Sequence, residues 1–289
     1  MTTTLRNPHD AFDDKLQAAF EQNILAALLE DVGSGDLTGM LVPTAPRVKA
    51  RVVVREAAVL CGAPWFEGVM LAIDQDTEID WQYAEGDLMA ADSVVCTIEA
   101  SPRSLLTAER AALNFMQLLS GVATATRSYV DVVAGTRAAI LDTRKTLPGL
   151  RQAQKYAVRV GGGQNQRMAL YDGILIKENH IAAAGGVTRA LENAAALDAG
   201  VPVQIEVETI AQLEEALAAG VTSVLLDNFD LDMMRDAVQV NAGRALLEAS
   251  GGINMATVRA IAETGVDRIS IGSLTKDVRA TDFSLRIVG

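Results

Sequence analysis

From about residue 138 onward the chain falls into a strand–helix rhythm, and this limits its fold more than any other feature. Short apolar strands are predicted at 138–142, 173–177, 203–208, 223–227, 244–249 and 268–272, with Ala- and Leu-rich helical stretches between most of them. The last four recur every twenty or so residues, room for a strand, a short helix and two turns, which suits parallel βα units. Six strands, or seven with one unrecognised, are too few for a closed eight-stranded barrel. No GxGxxG follows the first strand, so a doubly wound dinucleotide fold lacks its signature. The rhythm predicts an α/β fold with an incomplete six- or seven-stranded α/β barrel.

The preceding half has a different texture. Phe12, Leu16, Phe20, Ile24, Leu25, Leu28 and Leu29 are near helical spacing and predict a helix over 11–30. EDVGSGDLT (30–38) is a glycine-marked loop. Residues 47–60, 77–83 and 92–100 are β-branched and partly alternating, EGD (85–87) suggests a hairpin turn, and a long helix over about 104–134 follows Ser101-Pro102. A small antiparallel sheet with helices is expected. Aromatics are 4% of the chain, which assigns the core mainly to Ala, Leu, Val and Ile.

Cys61 and Cys96 sit in apolar runs without a CxxC, so buried free thiols are expected and no disulfide framework or zinc site is available. His9 and His180 are the only histidines, which excludes a His-rich metal site. MTTTLRNPHDAF has no apolar core of a signal peptide, and no apolar run approaches the ~18 residues of a membrane span. A soluble cytoplasmic enzyme or binding protein is expected. The net charge of −12 argues against a broad nucleic-acid surface.

That average hides a local excess. Between Asp142 and Lys177 lie Arg144, Lys145, Arg151, Lys155, Arg159, Arg167 and Lys177, opposed only by Asp142 and Asp172. The segment is either a solvated helix face or a site for a multiply anionic small molecule. In barrels of this kind chemistry gathers at the C-terminal ends of the strands. Here those ends carry Arg144 and Lys145, Lys177, Glu206 and Glu208, Asp227, and Glu248. Strand alternation puts Gln204, Glu206 and Glu208 on one face and Val203, Ile205 and Val207 on the other. The apolar face should meet the helices, so both glutamates should face the barrel axis. Carboxylates and cations then converge on one mouth, either as a plug of ion pairs or as a binding site. Arginine forks and lysine charges there suit a dianionic substrate. Arg151 and Arg159 recur at helical spacing and are assigned to the surface or an interface.

SGGI (250–253) and SIGS (270–273) end the last two strands, where such barrels place phosphate. Ser250, Gly251, Gly252, Gly272 and Ser273 read as a phosphate cradle, aided by the helix expected after SGGI, or else as ordinary βα turns.

Taken together, several strings are specific. EDVGSGDLT (30–38), TAERAALNFMQLLSGVAT (107–124), LDTRKTLPGLRQAQKYAV (141–158), YDGILIKENHI (171–181), IEVE (205–208), LLDNF (225–229), EASGGI (248–253) and ISIGSLTK (269–276) span nearly the whole chain. The sequence resembles the quinolinate phosphoribosyltransferases, type II phosphoribosyltransferases also called carboxylating nicotinate-nucleotide pyrophosphorylases. The resemblance implies an N-terminal α/β sandwich domain over 1–115, rejoined by the tail 277–289, and the incomplete barrel over 116–276. It implies a homodimer with a shared active site, Mg2+ with phosphoribosyl pyrophosphate, and no organic cofactor. The implied reaction takes quinolinate and phosphoribosyl pyrophosphate to nicotinate mononucleotide, pyrophosphate and carbon dioxide, a step of NAD biosynthesis.

The resemblance also implies residue roles. Arg144, Arg167 and Lys177 look like ligands of the quinolinate carboxylates, with Thr143 beside them, and Arg110 is implied to reach the partner's site. Lys145 is implied between the two substrates. Glu206 and Asp227 look like the carboxylates facing the ribose and the Mg-bound pyrophosphate. The 5′-phosphate falls to the SGG and SIG segments, Ser270 included. Two positions depart from the pattern: Gln166 stands where relatives often have histidine, and Asp277 where a histidine often follows. Gln166 can donate and accept hydrogen bonds but carries no charge. Rival readings are a relative acting on another pyridine carboxylate, a Schiff-base lyase using Lys177 or Lys145, and a non-catalytic anion-binding protein.

Overall fold

Asp13 starts the first helix. Its carboxylate accepts the Leu16 N–H at 2.8 Å, and α1 runs Asp14–Asp31. The computed structural model describes residues 12–42 and 46–288. The N-terminal segment read above for targeting lies outside the described residues, apart from Phe12; so do His9 and the first residue of the predicted helix.

Two compact units divide the chain. The first comprises the residues up to Arg127, Thr146–Gly162 and those from Thr275; the second comprises Ser128–Lys145 and Gly163–Leu274.

In the first unit, β1 (Val48–Val54) is followed by β2 (Ala58–Val59), α2 (Ala63–Ile73), β3 (Glu78–Trp81), β4 (Leu88–Met89), β5 (Val94–Ala100) and the start of α3 (Pro102–Val132). α4 (Arg151–Val160) and β12 (Phe283–Val288) complete it. The main sheet is antiparallel in the order β12-β1-β5-β3, so the C-terminal strand adds to the N-terminal sheet, with Val52 opposite Leu285. The predicted strand 47–60 is really two, because β2 leaves this sheet to pair with β4. EGD (85–87) is a turn, with Ala84 N–H donating to Asp87 Oδ2 at 2.8 Å. It joins strands of different sheets and is not a hairpin. The apolar run of α2, unassigned from sequence, is a buried helix with Pro64 in its first turn.

The aromatic residues are few but clustered. Phe12, Phe20 and Tyr156 each place a ring centroid 5.5 Å from that of Trp65. This centre, more than the aliphatic residues expected to dominate, explains why α4 belongs to the first unit. The thiols of Cys61 and Cys96 are buried and free, as expected.

The second unit holds β6 (Ala139–Leu141), β7 (Ile174–Ile176), α5 (Glu178–Ala184), α6 (Val187–Ala196), β8 (Val203–Val207), α7 (Ile210–Ala218), β9 (Ser223–Asp227), α8 (Leu231–Asn241), β10 (Leu246–Ser250), α9 (Val258–Ala262) and β11 (Arg268–Ser270), with α10 (Ser273–Lys276) at its end. Its six strands are parallel, in the order β6-β11-β10-β9-β8-β7. The first strand pairs with the last, so the sheet curls into a barrel left open between β6 and β7. Only a single bridge, Leu141 to Gln164, extends along that opening. Side-chain caps start the outer helices: Thr209 Oγ1 accepts from Gln212 N–H, and Asp230 Oδ1 from Met233 N–H. No helix among the described residues is long and apolar enough to cross a membrane.

Candidate active site

The parity of the strands decides what the barrel mouth contains. Along β8 the apolar residues Ile205 and Val207 are fully buried, while Gln204 and Glu206, on the other face, are each 8% exposed. Glu206 meets the lysine that follows the neighbouring strand: Lys177 Nζ lies 2.9 Å from its Oε2 and 3.3 Å from its Oε1. The Lys177 backbone is fixed separately, its N–H donating to His180 Nδ1 at 2.9 Å. Glu208, expected on the same face as Glu206, lies beyond the end of the strand. It is exposed, with its N–H donating to Gln212 Oε1 at 2.8 Å.

A cavity of about 250 Å³ occupies the mouth. Thr143, Arg144, Lys145, Gln166, Arg167, Lys177, Glu206, Ser250 and Ser270 line it, so the structure brings together all four cations of the predicted anion site. Its remaining lining is Leu175, Leu225 and Glu248. Arg167 is tethered through Nη1 to the Gly173 carbonyl at 2.9 Å. Burial, and then the neighbouring Arg144 guanidinium, lower its pKa from the ordinary guanidinium value. Two cations that cost free energy to hold together are what an anionic ligand would relieve.

The residue that turns this chain segment is a buried acid. Asp142, with no exposure, accepts from Asn165 Nδ2 at 2.6 Å and from the Gln166 N–H at 2.9 Å. This pins the Asn165–Arg167 stretch across the barrel opening. Gln166 then acts as a junction. Its Oε1 accepts the Arg167 N–H at 2.6 Å, and its Nε2 donates to Gln204 Oε1 at 2.7 Å. Nε2 also stands 3.4 Å from both oxygens of Glu248. A neutral amide thus stands at position 166, bonded to Arg167, Gln204 and Glu248. Asp277, the other departure, is exposed beside Lys276, at 3.5 Å.

The cradle residues sit at the rims of β10 and β11. Asn228 has φ 56°, and its N–H donates to the Ser250 carbonyl at 3.1 Å. Gly251, at φ 103°, is packed so tightly on the Asn228 side chain that a Cβ would collide with its Oδ1. Asp227 stands beside them, its Oδ2 accepting from Asn228 Nδ2 at 2.8 Å. A Cβ on Gly272 would lie 3.1 Å from Lys145 Cδ, so the bare backbone of that turn is what lets the lysine lie across it. The expected helix after SGGI starts only at Val258, leaving Gly251 and Gly252 on an exposed turn and not at a helix N-terminus. Asp227, Gly251, Gly252, Gly272 and Ser273 are at this rim and do not line the cavity. Arg110 is an exposed residue of α3 in the first unit, as are Arg151 (half-buried) and Arg159 (exposed) of α4; Lys155 is fully buried.

The strand-end reading named Glu248 but gave it no role in the site. It is 1% exposed at the base of the cavity, and its Oε2 accepts from Gln204 Nε2 at 2.9 Å. Its parity along β10, two residues before Ser250, is the signal that points it inward.

Comparison with known proteins agrees with this geometry. Residues 36–120 match the quinolinate phosphoribosyl transferase N-terminal domain, and residues 122–286 its C-terminal domain. The chain is 41% identical over 277 residues to the nicotinate-nucleotide pyrophosphorylase [carboxylating] of Mycobacterium leprae, covering 92% of this chain and 96% of that one. It is 38% identical over 260 residues to the probable nicotinate-nucleotide pyrophosphorylase [carboxylating] of Bacillus subtilis, covering 90% of each. Among solved structures, the nicotinate-nucleotide pyrophosphorylase from Francisella tularensis superposes with a TM-score of 0.91 at 40% identity, over 94% of this chain and 96% of that one. Fold and site together define a phosphoribosyltransferase. Within that class, the chain belongs to the quinolinate phosphoribosyltransferase family.

Proposed function

We propose that this chain transfers the phosphoribosyl group of phosphoribosyl pyrophosphate to quinolinate, releasing nicotinate mononucleotide, pyrophosphate and carbon dioxide. The observation that carries the reading is the single cavity in which Arg144, Lys145, Arg167 and Lys177 face one another. Quinolinate brings two carboxylates to four cations, and a charge-assisted hydrogen bond nets roughly 1.5–3 kcal/mol.

Arg144, Arg167 and Lys177 hold the carboxylates, Thr143 and Gln166 complete the wall, and the ring nitrogen is presented to ribose C1. Positioning of this kind is worth about 7–11 kcal/mol of barrier. Ser250, Gly251, Gly252, Ser270, Gly272 and Ser273 receive the 5′-phosphate, and Lys145 lies between the substrates. The N–C1 bond forms as the C1–O bond to pyrophosphate breaks, with the electron pair leaving on pyrophosphate. Glu206 and Asp227 oppose the positive charge at C1. The resulting ring cation accepts the pair released when the adjacent carboxylate departs as carbon dioxide, and a proton replaces it.

No group of three or more metal-binding side chains occurs among the described residues. A magnesium ion that takes most of its ligands from pyrophosphate and water needs only one or two protein carboxylates, which Glu206 and Asp227 fit. When bound, it neutralises charge on the leaving pyrophosphate. No organic cofactor is required.

The reading includes a cytoplasmic homodimer in which Arg110 of each subunit reaches the other's site. Mixed Arg110→Ala and Lys145→Ala subunits should then recover about a quarter of wild-type sites through the hybrid, whereas additive inactivity would refute sharing. Borohydride with a carbonyl substrate should trap no adduct on Lys145 or Lys177; an adduct would favour a Schiff-base lyase.

A further inference from the structure

The barrel holds two buried glutamates of unlike standing. Glu206 is neutralised by Lys177 at 2.9 Å. Glu248, 1% exposed, accepts only from the amides of Gln204 and Gln166, and no lysine or arginine among the described residues comes within ion-pair distance of it. A carboxylate buried without a counter-charge is costly to the fold, and amide dipoles offset only part of that cost.

Its place makes the cost informative. Glu248 lines the cavity that Arg144, Arg167 and Lys177 line, and Gln166 and Gln204 form the partition behind it. Behind that partition lies a second cavity of about 330 Å³, at the N-terminal ends of the strands. A fixed negative charge here repels a dianionic substrate and so weakens ground-state binding. It attracts whatever in the cavity becomes positive. In phosphoribosyl transfer that group is the pyridine ring, neutral before the N–C1 bond forms and cationic afterwards. An interaction unfavourable to the substrate and favourable to the developing cation lowers the barrier.

We infer that Glu248 is a further catalytic residue, an unpaired carboxylate whose charge stabilises the pyridinium formed at the ring nitrogen, held in place by the Gln166–Gln204 amide pair. The inference rests on the phosphoribosyl-transfer reading above. It makes Gln166 and Gln204 positioning residues, with a neutral group at 166 leaving the Glu248 charge uncancelled.

The test compares the wild type with Glu248→Gln, which keeps shape and removes charge. Turnover with quinolinate and phosphoribosyl pyrophosphate should fall by about 100-fold. Quinolinate should bind as tightly as before or more tightly, and nicotinate mononucleotide, whose ring is cationic, about 10-fold more weakly. Equal weakening of quinolinate and the mononucleotide, or a raised KM for phosphoribosyl pyrophosphate alone with kcat kept, would overturn the role. Should the variant fail to fold, the wild type carries the test. It should prefer nicotinate mononucleotide over its reduced, uncharged-ring analogue by about 10-fold, and equal affinity would overturn the inference. Failure of the underlying reading is separable, because the wild type itself would then show no turnover of quinolinate.

Discussion

Lys177 and Glu206 belong to neighbouring strands, and their charged ends meet at 2.9 Å inside the barrel mouth. The pair is lopsided: the lysine side chain is 45% exposed and the glutamate side chain 10%. Lys177 can therefore turn to a ligand, whereas Glu206 stays fixed. Lys177→Ala should raise the KM for quinolinate by about 10- to 100-fold with a smaller change in kcat. Steady-state kinetics at saturating phosphoribosyl pyrophosphate check this, and an unchanged KM would remove the lysine from the substrate site.

Lys145 lies across the bare backbone of Gly272. Lys145→Ala should abolish turnover with the fold intact. Gly272→Ala is the subtler probe. Its new Cβ meets a flexible methylene, so the fold should tolerate it, while the displaced ammonium should cost about 10-fold in kcat. Near-normal turnover in both variants would refute the central placement of the lysine.

Gly251 tests the rim of the cradle. Its φ of 103° and its contact with Asn228 leave no room for a side chain. Gly251→Ala should destabilise the second unit by about 1–3 kcal/mol and raise the KM for phosphoribosyl pyrophosphate more than that for quinolinate. Denaturant melts and paired kinetics measure the two effects, and a larger rise for quinolinate would contradict the assignment.

The first unit carries a pH-dependent strain. Glu67 is buried, its carboxylate accepting from Trp81 Nε1 at 3.4 Å, and burial raises its pKa from 4.5 to about 7. Glu85 is raised to about 7 as well, again chiefly by burial. The folded protein thus keeps protons that the unfolded chain has released. The associated stability is full below the unfolded value of 4.5 and is lost as pH rises towards 7. Glu67→Gln should gain on the wild type as pH increases from 5 to 8, by at most about 3 kcal/mol. Thermal melts across that range decide it, and a pH-independent difference would contradict it.

Much of the barrel was legible because parallel βα units impose a short period and strand parity. All six strands, Glu206 and three of the cations of the mouth, Arg144, Lys145 and Lys177, could be placed that way, whereas Arg167 lies on the loop before β7. Parity alone could not say where a strand stops, which is why Glu208 was expected inside but lies exposed beyond Val207. Nor could it give the seven residues between Ser250 and α9, which depend on turns. The departure of α4 into the first unit is a long-range matter of aromatic packing between Tyr156 and Trp65, which neither local period nor composition records. Glu248 was visible as a strand-end charge. Its lack of a cationic partner emerged only once the side chains around it were placed.

The central claim is the reaction itself. Incubation of the protein with quinolinate, phosphoribosyl pyrophosphate and Mg2+, followed by mass, tests it most directly, with nicotinate as the control acceptor. The account predicts nicotinate mononucleotide with one carbon dioxide and one pyrophosphate per turnover from quinolinate, and none from nicotinate. Turnover of nicotinate without turnover of quinolinate would contradict it.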